Sequence, residues 1–226
     1  MSISVIIPVL NEEKTILQVI DKVLKQKDIG EIIIVDDGST DKTPQILAKL
    51  NPPAGVPKIK VLTHPQNKGK GAALRTAFPK VSKEYALIQD ADLEYDPKQF
   101  ESLFRVATPD IVVYGSRILG QNRHAYTRTY LGNVLVTAVF NILFGGNLTD
   151  SYTCYKLIPK KILQKLNLDS DGFEIEAEIT AKLAKMGVKI VEVPIKYNPR
   201  KYEQGKKIKA KDALKGVLKY LAIRFS

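Results

Sequence analysis

The chain reads as an α/β protein with a mainly parallel central sheet flanked by helices, and three observations carry that reading. Apolar runs that suit covered strands alternate with amphipathic helical stretches along the first half. Two of those runs end directly in acids, at Val35-Asp36-Asp37-Gly38 and Ile88-Gln89-Asp90-Ala91-Asp92. With 226 residues, 44% of them hydrophobic, the chain can bury one sizeable core. Connections between parallel strands cross over through helices, and ligands gather outside the carboxyl ends of the strands. Both acidic loops should therefore open onto one edge.

Taken in order, Ile3 to Leu10 is an apolar strand expected to end at Pro8. Asn11 is then expected to cap a helix whose first turn holds Glu12 and Glu13 and whose apolar residues, Ile16, Leu17, Val19, Ile20, Val23 and Leu24, keep helical spacing to about Gln26. Ile32 to Val35 is the next strand, followed by a helix from Thr43 to Leu50, a strand from Lys58 to Leu62 and a helix from Gly69 to Phe78. Tyr85 to Gln89, a helix from Pro97 to Val106, and Ile111 to Tyr114 complete the alternating part. Tyr130 to Phe144 is almost wholly apolar, with Asn133, Thr137 and Asn141 forming one thin polar stripe, which suits a packed helix or one lying at a membrane surface. A short helix after Pro159, a helix opening at Gly172 to Glu176, a strand from Val188 to Val193 and a basic amphipathic helix from Asp212 to Phe225 close the chain.

The net charge of +11, densest toward the C-terminus, calls for an anionic partner. No zinc-finger spacing, RNA-binding aromatic motif or basic zipper accompanies it, so nucleic acid is not expected. One cysteine, Cys154, and two histidines exclude an internal disulfide and a Cys/His zinc cluster. Met1 to Val5 enters a strand without the basic start and apolar core of a leader, so a cytoplasmic location is expected.

The chemistry concentrates at Asp90-Ala91-Asp92-Leu93-Glu94. Alternate residues of an extended chain share a side, so Asp90, Asp92 and Glu94 can aim at one point. Carboxylates that close repel one another unless a cation intervenes, and an all-oxygen set favours Mg²⁺ or Mn²⁺. A solvated polar loop is the competing explanation of the same spacing. Lys68-Gly69-Lys70-Gly71, at a helix start, offers backbone and ammonium donors to anionic oxygens, although it lacks the spacing of a Walker loop.

Four pieces in order, Val5 to Glu13, Val35 to Asp41, Asn67 to Gly71 and Asp90 to Asp92, resemble the family-2 glycosyltransferases of the GT-A fold. Asp90 to Pro97, Gly115-Ser116-Arg117 and the basic tail are similar to the dolichyl- and polyprenyl-phosphate hexose synthases within it. That resemblance covers nearly the whole chain. It implies a single GT-A domain over 1–226, with a nucleotide-sugar half at 1–115 and an acceptor half with membrane-facing C-terminal helices at 116–226. It implies that Pro8, Asn11, Glu12, Asp36, Asp37, Lys70 and Asp90 serve the nucleotide diphosphate sugar, with Arg200 and Lys206 from the segment Tyr197 to Lys207. It places Mg²⁺ or Mn²⁺ on Asp90, Asp92 and Glu94, the last at a position where related synthases can carry glutamine.

The activity it implies is inverting transfer of a hexose, from a donor of the GDP-mannose or UDP-glucose type, to a polyprenyl phosphate at the cytoplasmic membrane face. A phosphate monoester is already largely anionic at neutral pH and needs no dedicated base, unlike a sugar hydroxyl. Guanidinium groups pair bidentately with phosphate, so Arg117, Arg128 and Arg200 are expected to converge as a clamp. Asp150 could orient hydroxyls or act as base, and Glu174 and Glu176 could face the site or simply favour a helix start. A saccharide acceptor is the alternative reaction, and a noncatalytic nucleotide-sugar or anionic-membrane binding module the alternative of another kind. Self-association is left open.

Overall fold

The computed structural model describes residues 1–50, 57–120, 127–200 and 210–226. Among these, seven strands form one sheet in the order β3-β2-β1-β4-β6-β5-β7. They are β1 (Ile3–Val9), β2 (Ile29–Asp36), β3 (Lys58–Thr63), β4 (Tyr85–Ile88), β5 (Ile111–Ser116), β6 (Lys156–Pro159) and β7 (Lys189–Pro194). The helices are α1 (Ile16–Leu24), α2 (Thr43–Ala48), α3 (Lys70–Ala77), α4 (Phe100–Phe104), α5 (Thr127–Phe144), α6 (Lys160–Leu163), α7 (Ile175–Lys185) and α8 (Ala210–Arg224). Every pairing is parallel except those of β6, which runs antiparallel to both β4 and β5. The mainly parallel α/β architecture read from the alternation is what forms.

The core follows from the strand sequences. Ile32 to Val35 of β2 and Ile3, Val5, Ile6 and Ile7 of β1 are completely buried, because helices cover both faces of the sheet. Strand β1 runs through Pro8 rather than ending there. Its pairing with β4 stops at Ile6, so the proline falls where β1 has a neighbour on one side, β2, and its missing N–H leaves that ladder intact.

Asn11 does not cap α1. It sits in the left-handed region at φ 50°, and its Oδ1 accepts from the Thr40 amide at 2.7 Å, while its own amide donates to Ser39 Oγ at 2.8 Å. The side chain thus ties the loop after β1 to the loop after β2, and α1 begins later, at Ile16. The helix expected from Pro97 is a turn of 3₁₀ helix, Pro97–Gln99, leading into the short α4.

Strand β6 had no place in the sequence reading. Four residues that begin with lysine and end with proline carry no strand signal of their own. They become a strand because β4 and β5 leave a gap between them, and all four are buried in it. This strand stitches the two halves of the chain into one sheet.

The apolar helix α5 buries Val136 and Phe140 and leaves the rest of its apolar surface more open. Its polar stripe faces inward: Asn133 donates to Asp150, Thr137 bonds Ser151, and Asn141 bonds both the amide and the carbonyl of Leu148. Leu131, Leu135 and Ile142 consequently face outward, Ile142 at 82% exposure. Helix α8 packs beside it, with Leu214, Leu218 and Phe225 exposed along a stripe that also carries Lys211 and Lys215. Among the described residues no helix is long and apolar enough to cross a membrane.

Candidate active site

The cleft lies where the sheet edge predicts, beyond the carboxyl ends of β1, β2 and β4, and encloses about 490 Å³. Pro8, Glu12, Asp37, Lys70, Asp90, Asp92, Glu94, Arg117 and Arg200 all line it. Phe173, Glu176 and Tyr197 join them from the second half of the chain.

Its floor is the start of α3. Asp37 accepts from the amides of Lys68 at 3.0 Å and Gly69 at 2.7 Å, and shares a 2.7 Å hydrogen bond with His64 Nδ1. Both of its oxygens therefore shape the turn that delivers Lys70. Asp36 is also buried, and one of its oxygens accepts from the Ser39 amide while the other is unpartnered among the described residues. The glycines flanking Lys70 are demanded by packing: a Cβ on Gly69 or on Gly71 would lie 2.3 Å from the carbonyl of Asp171 or of Ser170. Gly69 also has φ 106°, which a side chain would strain.

Lys70 Nζ lies 2.8 Å from Asp90 Oδ1 and 3.0 Å from Glu176 Oε1. Burial pushes the Asp90 carboxyl up, but the Lys70 ammonium outweighs it and holds the group below the usual range. The same two carboxylates keep Lys70 charged against its own burial. Asp92 is different. Burial, with the charges of Asp90 and Glu94 beside it, raises it to about 7, against the pull of Arg200.

Arg200 is the second hub. Its guanidinium meets both oxygens of Glu12 at 3.0 Å and Asp92 Oδ2 at 3.0 Å, and its amide donates to Glu94 Oε1 at 2.9 Å. Glu94 Oε2 accepts from the Tyr197 hydroxyl. Leu93, in the left-handed region at φ 63°, turns the chain between Asp92 and Glu94. Glu94 thus spends both oxygens on the segment that carries Arg200.

On the far wall Arg117 makes a bidentate pair with Asp150, Nε to Oδ2 at 2.7 Å and Nη2 to Oδ1 at 2.8 Å, and its amide adds a third bond at 3.0 Å. Its guanidinium carbon also lies 5.3 Å from the centre of the Tyr197 ring. Asp150 is completely buried beneath it and takes a further bond from Asn133. Although burial opposes ionisation, Arg117 holds the Asp150 carboxyl below its ordinary value. Such a carboxylate orients an arginine. Glu174 has one oxygen on the Gly172 amide at 3.1 Å and the other buried without a described partner. The Arg128 side chain and Lys206 lie outside the described residues.

Sequence reasoning missed Tyr197, Phe173 and Lys156. Tyr197 sits three residues before Arg200 in a segment read for its cations, so its place in that motif was the available signal. Lys156 is fully buried on β6 and gave none.

A divalent cation can be judged against this geometry. Among the described residues no three His, Cys, Asp or Glu side chains form a ready cage. Asp90 and Asp92 suit another pattern, in which one or two carboxylates hold Mg²⁺ or Mn²⁺ and substrate phosphates complete the shell. The crowding that raises Asp92 is relieved by such a charge, so the pair fits the group.

The glycosyl transferase family 2 profile matches residues 4–166. The chain belongs to that family. A UDP-N-acetylglucosamine–dolichyl-phosphate N-acetylglucosaminyltransferase of Methanococcus voltae is 32% identical over 215 residues, covering 86% of this chain and 84% of the relative. A dolichyl-phosphate beta-glucosyltransferase, ALG5A, of Trichomonas vaginalis is 31% identical over 217 residues, covering 87% and 65%. Other curated relatives are longer, and the chain spans about half to two thirds of them. A crystal structure of glucosyl-3-phosphoglycerate synthase from Mycobacterium tuberculosis with Mn²⁺, UDP and phosphoglyceric acid superposes with TM-score 0.73 at 20% identity, over 99% of this chain and 78% of that one. That likeness establishes the GT-A fold of this family-2 member.

Proposed function

We propose that this family-2 protein transfers a hexose, with inversion, from a nucleotide diphosphate sugar of the GDP-mannose or UDP-glucose type to a polyprenyl or dolichyl phosphate. The observation that carries the proposal is the meeting of Lys70, Arg117 and Arg200 around Asp90 and Asp92 in one cleft. Each of the three cations is held at the cleft by carboxylates, Lys70 by Asp90 and Glu176, Arg117 by Asp150 and Arg200 by Glu12 and Asp92, and cations fixed in this way suit two phosphate-bearing substrates. The dolichyl-phosphate transferases among its relatives support the acceptor, and the exposed apolar residues Leu131, Leu135 and Ile142 of α5 support a lipid one.

Residues 1–115 supply most of the donor side, with Pro8, Glu12, Asp37, Lys70 and Asp90 along the cleft, while Arg200 reaches in from the second half. Residues 116–226 supply Arg117 and the acceptor side. Asp90 and Asp92 would hold Mg²⁺ or Mn²⁺, which when bound stabilises the charge developing on the diphosphate leaving group. Lys70 and Arg200 then meet diphosphate oxygens. Arg117, steadied by Asp150 and Tyr197, holds the acceptor phosphate in line, so the reaction rests on alignment and electrostatics, with no proton to remove from the nucleophile. Asp150, committed to Arg117, is a support for that clamp.

The exposed leucines of α5 and α8, with the lysines beside them, would rest peripherally on the anionic cytoplasmic face of a membrane. Nucleotide sugars assayed against short-chain polyprenyl phosphates and simple alcohols, with and without Mg²⁺ or Mn²⁺, test the whole reading. Product from the phosphate acceptor alone is expected. Equal transfer to saccharide alcohols would overturn the acceptor assignment, and full turnover in EDTA the metal.

A further inference from the structure

Behind Lys70 lies a row of charges that the reaction does not touch. Lys156 of β6 is completely buried, in the middle of the sheet. Its ammonium donates to the Thr153 carbonyl and to Glu176 Oε2, and it stands 4.8 Å from the centre of the Tyr114 ring. Glu176, in the first turn of α7, turns its other oxygen to Lys70 at 3.0 Å, and Lys70 reaches Asp90 at 2.8 Å. Four charges of alternating sign therefore run from the sheet interior to the mouth of the cleft. A lysine ammonium is a point charge on a flexible stem and does not hold a fixed position unaided. Burying another lysine in a sheet is costly unless its partner is fixed and useful.

We infer that Lys156 and Glu176 are positioning residues that hold the Lys70 ammonium where the donor diphosphate must bind. This rests on the donor reading above. Glu176 is the tether: it is a second carboxylate on Lys70 besides Asp90, so Lys70 can exchange Asp90 for a phosphate oxygen and still be held. Lys156 fixes the tether, because its one carboxylate partner among the described residues is the opposite oxygen of Glu176. Strand β6 is a good mount for such an anchor, being paired on both edges.

The test is the affinity of UDP and GDP, each with Mn²⁺, by titration calorimetry, beside the corresponding monophosphates. Lys156→Met should weaken the diphosphate that the unmodified protein binds about tenfold while changing the monophosphate less than twofold, and Lys156→Arg should recover most of the loss. A lone Glu176 in the interior could prevent Lys156→Met from folding. The double variant Lys156→Met/Glu176→Met removes both charges together, the kind of change that folded proteins tolerate. It keeps Lys70 and Asp90 but lacks the tether, so it should fold with normal stoichiometry and still show the selective loss of diphosphate. An ordinary structural ion pair would give a stable double variant with unmodified diphosphate affinity, and that result would overturn the inference. Failure of the unmodified protein to bind either diphosphate would instead overturn the donor reading and this inference with it.

Discussion

The side of the cleft proposed for the donor and the side proposed for the acceptor are built on opposite principles. On the donor side, from β1 to β4, apolar side chains point in and the chemistry sits in loops at strand ends, where Asp37, Asp90 and Asp92 emerge from covered strands. On the side proposed for the acceptor, α5 sends its polar residues in beside Val136 and Phe140 and leaves Leu131, Leu135 and Ile142 outside. Asn133, Thr137 and Asn141 are consumed by residues 148–151, the segment that delivers Asp150 to Arg117. The difference teaches that a polar stripe on an apolar helix marks the side facing whichever neighbour needs hydrogen bonds, and a buried loop needs them more than water does.

The largest effect should come from the donor side. Asp92→Ala or Asp90→Ala removes one of two carboxylates that a divalent ion would use, and turnover should fall at least about a hundredfold. Thermal melting should change little, because each residue ends at the cleft and packs no core. Product formation with and without EDTA, read beside the melt, checks both statements. If turnover survived and stability fell, the acids would be structural and the two sides would not differ as described.

On the acceptor side Arg117→Ala should cut transfer to polyprenyl phosphate by about a hundredfold while donor affinity shifts less than threefold, since a lost bidentate contact mostly misplaces the acceptor. Asp150→Asn should act in the same direction but less, because the asparagine can still accept from the Arg117 amide. Calorimetry of donor binding and single-turnover transfer separate the two substrates. A parallel loss of donor binding would merge the two sides into one.

How much of this was legible depends on how local each signal is. Asp90 and Asp92 could be found because two acids end an apolar run, and Lys70 because glycines frame it at a helix start. Arg117 followed a strand. Asn11 was read as a cap because asparagine before a helical pattern usually is one, but the pattern begins late, and the side chain instead bonds a loop 29 residues away. Strand β6 and its Lys156 were illegible for the same reason in stronger form. A buried lysine makes sense only once Glu176, on another element, is beside it. The orientation of α5 needed the 148–151 segment in view.

A smaller effect tests that orientation. Leu135→Glu with Ile142→Glu places two charges on the outer face, where the side chains are exposed and no core is lost, so the melting temperature should stay close to that of the unmodified protein. Flotation with anionic liposomes should fall about tenfold, and raised salt should weaken what remains. Transfer to a water-soluble short-chain acceptor should be unchanged. Unaltered flotation would mean that α8 alone meets the membrane, and a large loss of stability would mean that the face is covered by protein.

The smallest effect separates two carboxylates, buried Glu31 and half-buried Asp92, that the same side of the cleft uses in opposite ways. Glu31, on β2, is pushed up by burial, yet the Lys60 ammonium, the Ser4 hydroxyl and the Ser82 amide outweigh this and bring it down to about 2. Asp92 has carboxylates for neighbours and rises to about 7. Glu31 therefore stabilises the frame and Asp92 strains the site. A group whose folded value is depressed contributes stability that is present in full above its unfolded value, near 4.5, and is lost as the pH falls through that value toward about 2. Glu31→Gln should cost about 1–2 kcal/mol at pH 7, allowing for solvent around the partly exposed Lys60, and almost nothing near pH 2. Urea unfolding of both proteins from pH 7 downward would show the two stability curves converging as the acid limb is reached. Curves that stayed parallel would mean that the cost is one of shape at the start of β2, with the charge on Glu31 contributing nothing.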